Sequence, residues 1–257
     1  MIRDEHQAYI RSDLSNIMKE VVRSSNHLGC GMEFEAVNGY LLQSLFLQMT
    51  GAQEQKMKCI CWELATDDLK YRYERYYKGW NLSECSTLKD KSQVYEDLVS
   101  AIKKKDSGYN VFADPNAINL FRDEIKNCIT NVFENTNIVA SKKKQYETFL
   151  LVFSNINSNN ITPSDKLIFK NGDKNYPVDK ATSDTELFAI YSLLYTHRNR
   201  CAHNTPSYQL NLPNLVDLRN ENYQKYDNIF LFYAVLLMID KIFRKLYSKY
   251  NGSVEKS

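Results

Sequence analysis

Helix-breaking residues are scarce in this chain of 257: it has eight glycines and five prolines, under half the usual share of about 12%. Long, uninterrupted elements are expected, helices before strands. An excess of either charge is also missing, since 33 lysines and arginines face 31 acids for a net charge of +2. That balance excludes an arginine-rich polyanion binder, whose grip needs many uncompensated cations. It equally excludes an acidic, solvating chain, because 43% of the residues are hydrophobic and 12% aromatic, enough for a buried core. No apolar run is long. The longest, Ile229 to Ile239, has eleven residues, where a bilayer needs about 20. The opening MIRDEHQAYIRSD has no apolar segment of the secretory kind, so a cytoplasmic protein without membrane contact is expected. The six cysteines form no CxxC pair, and no histidine stands at zinc-finger spacing from them. They read as buried thiols in a reducing compartment, with no metal and no other cofactor.

What is present is helical periodicity. Ile10, Leu14, Ile17, Met18, Val21 and Val22 form one stripe, closed by Gly29 and Gly31. A leucine-rich run from Glu33 to Met49 ends at Gly51, and Met57, Ile60, Cys61 and Leu64 share a face beyond it. Thr66-Asp67-Asp68 supplies a cap for a turn into the aromatic, basic stretch that ends at Trp80. Tyr95, Leu98, Val99 and Ile102 mark a helix ended by Lys103 to Lys105, and Tyr146, Phe149, Leu150 and Phe153 mark another. Asp114-Pro115 is a start signal, a capping aspartate followed by proline in the first turn. From Asn155 to Asp184 the texture changes to Asn, Ser, Pro and Asp. There KLIFKNGDKNYPV sets Asn171-Gly172 between two β-prone runs, a hairpin signal. Ser183 and Glu186 read as a capping box. Asp227 reads as the start of a final helix apolar on nearly all sides, central in a bundle or covered by a partner subunit. The expected class is all-α, with extra N-terminal helices and a small β-hairpin insertion near 166–178. The whole of 1–257 is one elaborated helical domain, with 1–110 as an N-terminal helical subdomain.

Chemistry concentrates in Tyr195 to Asn204, YTHRNRCAHN, at the end of a helix. Leu187, Ile190, Tyr191 and Leu194 form its core stripe. Arg198 stands eleven residues after Leu187, within about 20° of it on a helical wheel. An arginine continuing a core stripe needs a partner or an anionic ligand. Asn199 and His203 share another face at i,i+4. Arg198 and His203 stand roughly 140° apart on an ideal helix, so they serve one site only if the helix ends near Ala202 or if two chains contribute. A purely structural account competes: basic residues suit the last turn of a helix, and Asn204 and Pro206 suit its stop.

Arg198, Asn199 and His203, at a helix end and followed by a last apolar helix, resemble the R-x(4–6)-H motif of the HEPN superfamily (higher eukaryotes and prokaryotes nucleotide-binding). The resemblance covers about 183–250. It implies a HEPN-like helical bundle and a metal-independent RNA endonuclease. Such enzymes act as homodimers with the motifs at the interface, many as toxins or anti-phage effectors held by an antitoxin or other regulatory protein. The family's further acidic or polar residue, carried by an earlier helix, has Glu33, Glu35 and Glu63 as undistinguished candidates. A subgroup is silenced by nucleotidylation of a tyrosine two residues after the histidine; here that position is Thr205 and the nearest tyrosine is Tyr208.

The residue types fit that chemistry. Histidine titrates near neutrality and can move protons, while arginine offers a fixed fork to phosphate oxygens and stabilises developing charge. His203 is the expected acid/base, Arg198 the electrostatic stabiliser and Asn199 the orienting residue. Arg200 and His197 are candidate RNA contacts, or else solvated charges at a helix end. The aromatic stretch around Tyr71 to Trp80 could stack bases or simply form core and rim. The alternative function is a HEPN-like module that binds nucleotide, RNA or protein without cutting. A third is an unrelated helical interaction protein with a chance motif. The near-neutral charge then implies a locally basic cleft and modest RNA affinity.

Overall fold

The computed structural model describes residues 2–25, 32–77, 85–110, 115–156, 166–168, 185–202, 215–219 and 221–254, and within them every regular element is helical. The apolar stripe from Ile10 to Val22 is two helices rather than one, α1 (Ile2–Arg11) and α2 (Ser15–Ser25). Asp13 makes the break: its carboxylate accepts from the Ser15 N–H at 2.8 Å. The backbone groups freed there are used elsewhere, the Ser12 carbonyl by the Lys56 ammonium and the Leu14 N–H by Asp240.

Helix α3 (Met32–Asp67) runs 36 residues, about 54 Å. It passes straight through Gly51, where a stop was expected. One glycine costs a helix only about 1 kcal/mol, and the buried side chains before and after it, from Leu42 to Leu64, repay more than that. Asp68 then caps α4 (Leu69–Arg72), its carboxylate accepting from the Tyr71 N–H at 3.0 Å, and a π-helical turn follows over Tyr73–Tyr77. Helix α5 (Leu88–Lys105) opens with a reciprocal box between Thr87 and Asp90 and ends at the lysine run as expected. Pro115 begins α6 (Pro115–Phe133), as expected of its position after Asp114. Next come α7 (Asn137–Ser141) and α8 (Lys143–Asn155).

Of the expected hairpin only residues 166–168 are described, with Leu167 and Ile168 buried in the core. The Asn171-Gly172 turn lies outside the described residues, and no strand forms among those described. Helix α9 (Glu186–Ala202) is capped by Thr185, whose hydroxyl accepts from the Phe188 N–H at 3.2 Å. The cap therefore sits two residues after the expected Ser183. The short α10 (Leu215–Arg219) and α11 (Glu221–Tyr226) lead to α12 (Ile229–Val254). Its cap is Asn228, which accepts from the Phe230 N–H at 3.0 Å and ties back to Gln145.

Helix α12 is the axis of the molecule. It packs against α1, α3, α5, α6, α8 and α9, and every residue from Phe230 to Asp240 is buried. Tyr233 lies parallel to Phe133 at 5.8 Å and donates its hydroxyl to the Leu42 carbonyl. The all-round apolar surface of this helix is thus covered by its own chain. Cys59 and Cys61 are both buried although they face different ways, because α3 has neighbours on several sides. Among the described residues no helix is long and apolar enough to cross a membrane.

Candidate functional site

Leu187, Ile190, Tyr191 and Leu194 face inward along α9, and Arg198 follows them on the same line, 22% exposed. Its partner comes from α3. Nη2 lies 3.4 Å from both carboxylate oxygens of Glu54, and Nη1 donates to the Asn199 amide oxygen at 3.4 Å. These are long bonds, and one nitrogen shared between two oxygens is not the parallel fork of a strong arginine–carboxylate pair. The Arg198 Nε has no partner among the described residues. Glu54 therefore orients the guanidinium without using all its donors.

Lys91 of α5 sits behind this pair. Its ammonium donates to the carbonyls of Cys85 (2.6 Å) and Ser86 (2.9 Å), and the Tyr191 hydroxyl donates to the same Ser86 carbonyl. Burial pushes the Lys91 pKa down to about 8, against the pull of Glu54 and with a smaller push from Arg198. Burial also raises the Tyr191 phenol, with Glu54 adding to it. One carboxylate thus lies in the field of two cations contributed by α5 and α9.

The other motif residues separate. His197 turns into the core, its ring 5.0 Å from Phe46 and 5.4 Å from Phe232. Burial lowers its pKa, which Asp227 opposes and Arg200 reinforces. The half-buried ring packs between the two phenyl rings, and its Nε2 lies 3.5 Å from the Cys201 Sγ. Arg200 donates to the Tyr223 hydroxyl of α11 at 3.2 Å, while its Nε and Nη2 are buried without a partner among the described residues. His203 lies one position beyond Ala202 and outside the described residues, as do Asn204, Thr205, Pro206 and Tyr208.

That Glu54 is the partner of Arg198 was missed by sequence reasoning. With Gly51 taken as a helix end, Glu54 falls in a supposed connection. With α3 continuous, it stands three residues before Met57 and seven before Cys61, on the edge of the buried face. Of the three acids named instead, Glu35 is exposed. Glu63 is buried and held by Arg3 and Tyr247. The side chain of Glu33 lies outside the described residues.

Outside the motif, the lysine runs are engaged locally: Lys104 with Asp68, Lys105 over the Tyr250 ring, Lys143 with Glu147. The aromatic stretch divides. Tyr71 and Arg75 turn inward to Asp97, whereas Tyr73, Tyr76 and Tyr77 stay exposed and Trp80 lies outside the described residues. Among the described residues no group of three histidines, cysteines or acids is placed to hold a metal ion. Comparison with models of known families, with curated proteins and with solved structures finds no match to this chain.

Proposed function

We propose that this protein is a metal-independent RNA endonuclease of the HEPN type, a toxin or anti-phage effector working as a homodimer under the control of an antitoxin or other regulatory protein. What carries the reading is Arg198: a half-buried guanidinium on the core line of α9, oriented by an acid from an earlier helix, five residues before His203. The contact of Arg198 with Glu54 at 3.4 Å supports reading Glu54 as the acidic residue that goes with the motif.

The substrate's 2′-oxygen attacks the adjacent phosphorus and loses its proton to a base. The bond to the 5′-oxygen breaks, and that oxygen takes a proton. His203 moves one of these protons. Arg198 stabilises the charge gathering on the phosphoryl oxygens, and Asn199, which accepts from Arg198, is assigned the orienting role. Products carry 2′,3′-cyclic phosphate and 5′-hydroxyl ends, with no cofactor. The test is purified protein on total RNA with and without EDTA. His203→Ala and Arg198→Ala should each cut cleavage by about a hundredfold or more while circular dichroism stays unchanged. Full cleavage by a folded His203→Ala protein would sink the mechanism.

One observation favours a binding module instead: Arg198 already has a carboxylate partner. On that reading the wild-type protein retains RNA on a filter but leaves it uncut.

A further inference from the structure

Where α3 ends, four aromatic side chains stand exposed near one another: Trp62, Tyr73, Tyr76 and Tyr77, the last at 75%. Trp62, Ala65 and Thr66 of α3, Arg72 of α4, and Tyr76 and Tyr77 of the π-turn line a cavity of about 330 Å³. Its walls are held from behind. His6 meets the Trp62 ring edge-on at 6.4 Å, and Tyr73 stacks on Tyr77 at 5.9 Å and 21°. Asp97 anchors the turn from below, accepting from the Tyr71 hydroxyl at 3.0 Å and pairing with Arg75. The extra residue of a π-turn interrupts the regular helical register, a feature frequent at functional sites. Here it leaves Arg75 pointing in and Tyr76 and Tyr77 pointing out.

Arg72 decides the chemistry. Its Nε donates to the Ala65 carbonyl at 2.8 Å, which sets the guanidinium plane. Among the described residues it makes no ion pair, so its remaining donors are free for an anion. An aromatic box alone suits a quaternary ammonium, but a guanidinium in the same box repels one. A helical peptide, about 10 Å across, is too wide for the cavity. A flat ring attached to a phosphate meets both requirements, the ring on the indole and phenol faces and the phosphate on the guanidinium.

We infer that this cavity takes an unpaired nucleobase of a single-stranded RNA, stacked among Trp62, Tyr76 and Tyr77 with its phosphate on Arg72. The inference rests on RNA being the substrate and adds where a strand is gripped away from Arg198.

The chain has two tryptophans, so a Trp80→Phe protein reports from Trp62 alone. Five-residue oligodeoxyadenylate, which has no 2′-hydroxyl to be cut through, should quench that fluorescence saturably. Adenosine monophosphate should reach the same end point more weakly, and an RNA duplex should leave the signal unchanged. Equal affinity for the mononucleotide would assign the pocket to free nucleotides and overturn the strand reading. Arg72→Gln and Tyr76→Ala, both at exposed positions, should each raise Kd about tenfold. Absence of saturable quenching, or a Kd untouched by both substitutions, overturns the proposal. The two readings fail separately: RNA cut without quenching removes the pocket, and variant-sensitive quenching without cleavage removes the nuclease.

Discussion

Lys91 is an ammonium buried behind Arg198 and held by two carbonyls. Its folded-state pKa of about 8 lies below the ordinary lysine value of 10.5. Between those values the unfolded chain binds the proton and the folded chain does not, so this residue makes stability rise with pH across that window. The full rise is at most about 3 kcal/mol. Lys91→Met should remove it: urea unfolding at pH 8 and pH 10 should show a smaller increase for the variant than for the wild type. Equal increases would mean that Lys91 stays charged in the fold. The neighbouring Arg198 shows what residue-level reasoning could and could not reach. Its place on the core line demanded a partner, and that much was legible from spacing. The identity of the partner was not, because Glu54 comes from a helix 144 residues away in sequence.

At the scale of the element, caps and periodicity carried most of the reading. Asp68, Pro115 and the lysines ending α5 act as their local chemistry requires. Two readings failed for one reason: breakers were weighed without their tertiary surroundings. Gly51 sits on an exposed face of α3, where an added Cβ would meet nothing within 4 Å, so it costs the helix little and stops nothing. Gly51→Ala should therefore stabilise the protein by about 0.5–1 kcal/mol, read as a higher urea midpoint at unchanged slope. A lower midpoint would show that the helix needs flexibility there. Conversely, the α1–α2 break has no glycine or proline. It is stable because Lys56 donates to the Ser12 carbonyl and Asp240 accepts from the Leu14 N–H, the backbone groups that the break exposes.

Across the whole molecule, those same residues join α3 and α12 to the break between α1 and α2. Lys56 of α3 meets Asp240 of α12 at 2.6 Å, with both side chains nearly inaccessible. Arg244 brings in Asp13, its Nη2 donating at 2.9 Å. Asp240→Ala would strand a buried ammonium and should cost about 3–5 kcal/mol. The double variant Lys56→Met/Asp240→Leu should recover most of that loss, measured by unfolding midpoints. A double variant no better than the single one would show that the ion pair itself, rather than avoidance of an unpaired charge, holds the helices.

The sequence by itself determined that the described chain is helical, that the final helix is apolar on nearly all sides, and that Arg198 and Asn199 share the end of one helix. These follow from spacing along a single element, which the chain carries locally. Only the tertiary structure decided that Glu54 faces Arg198, that His197 is enclosed by Phe46 and Phe232, and that Trp62, Arg72 and Tyr76 wall one cavity. The physical reason is that which side chains meet across two helices depends on their rotation and offset, and these are set by packing the whole core around α12.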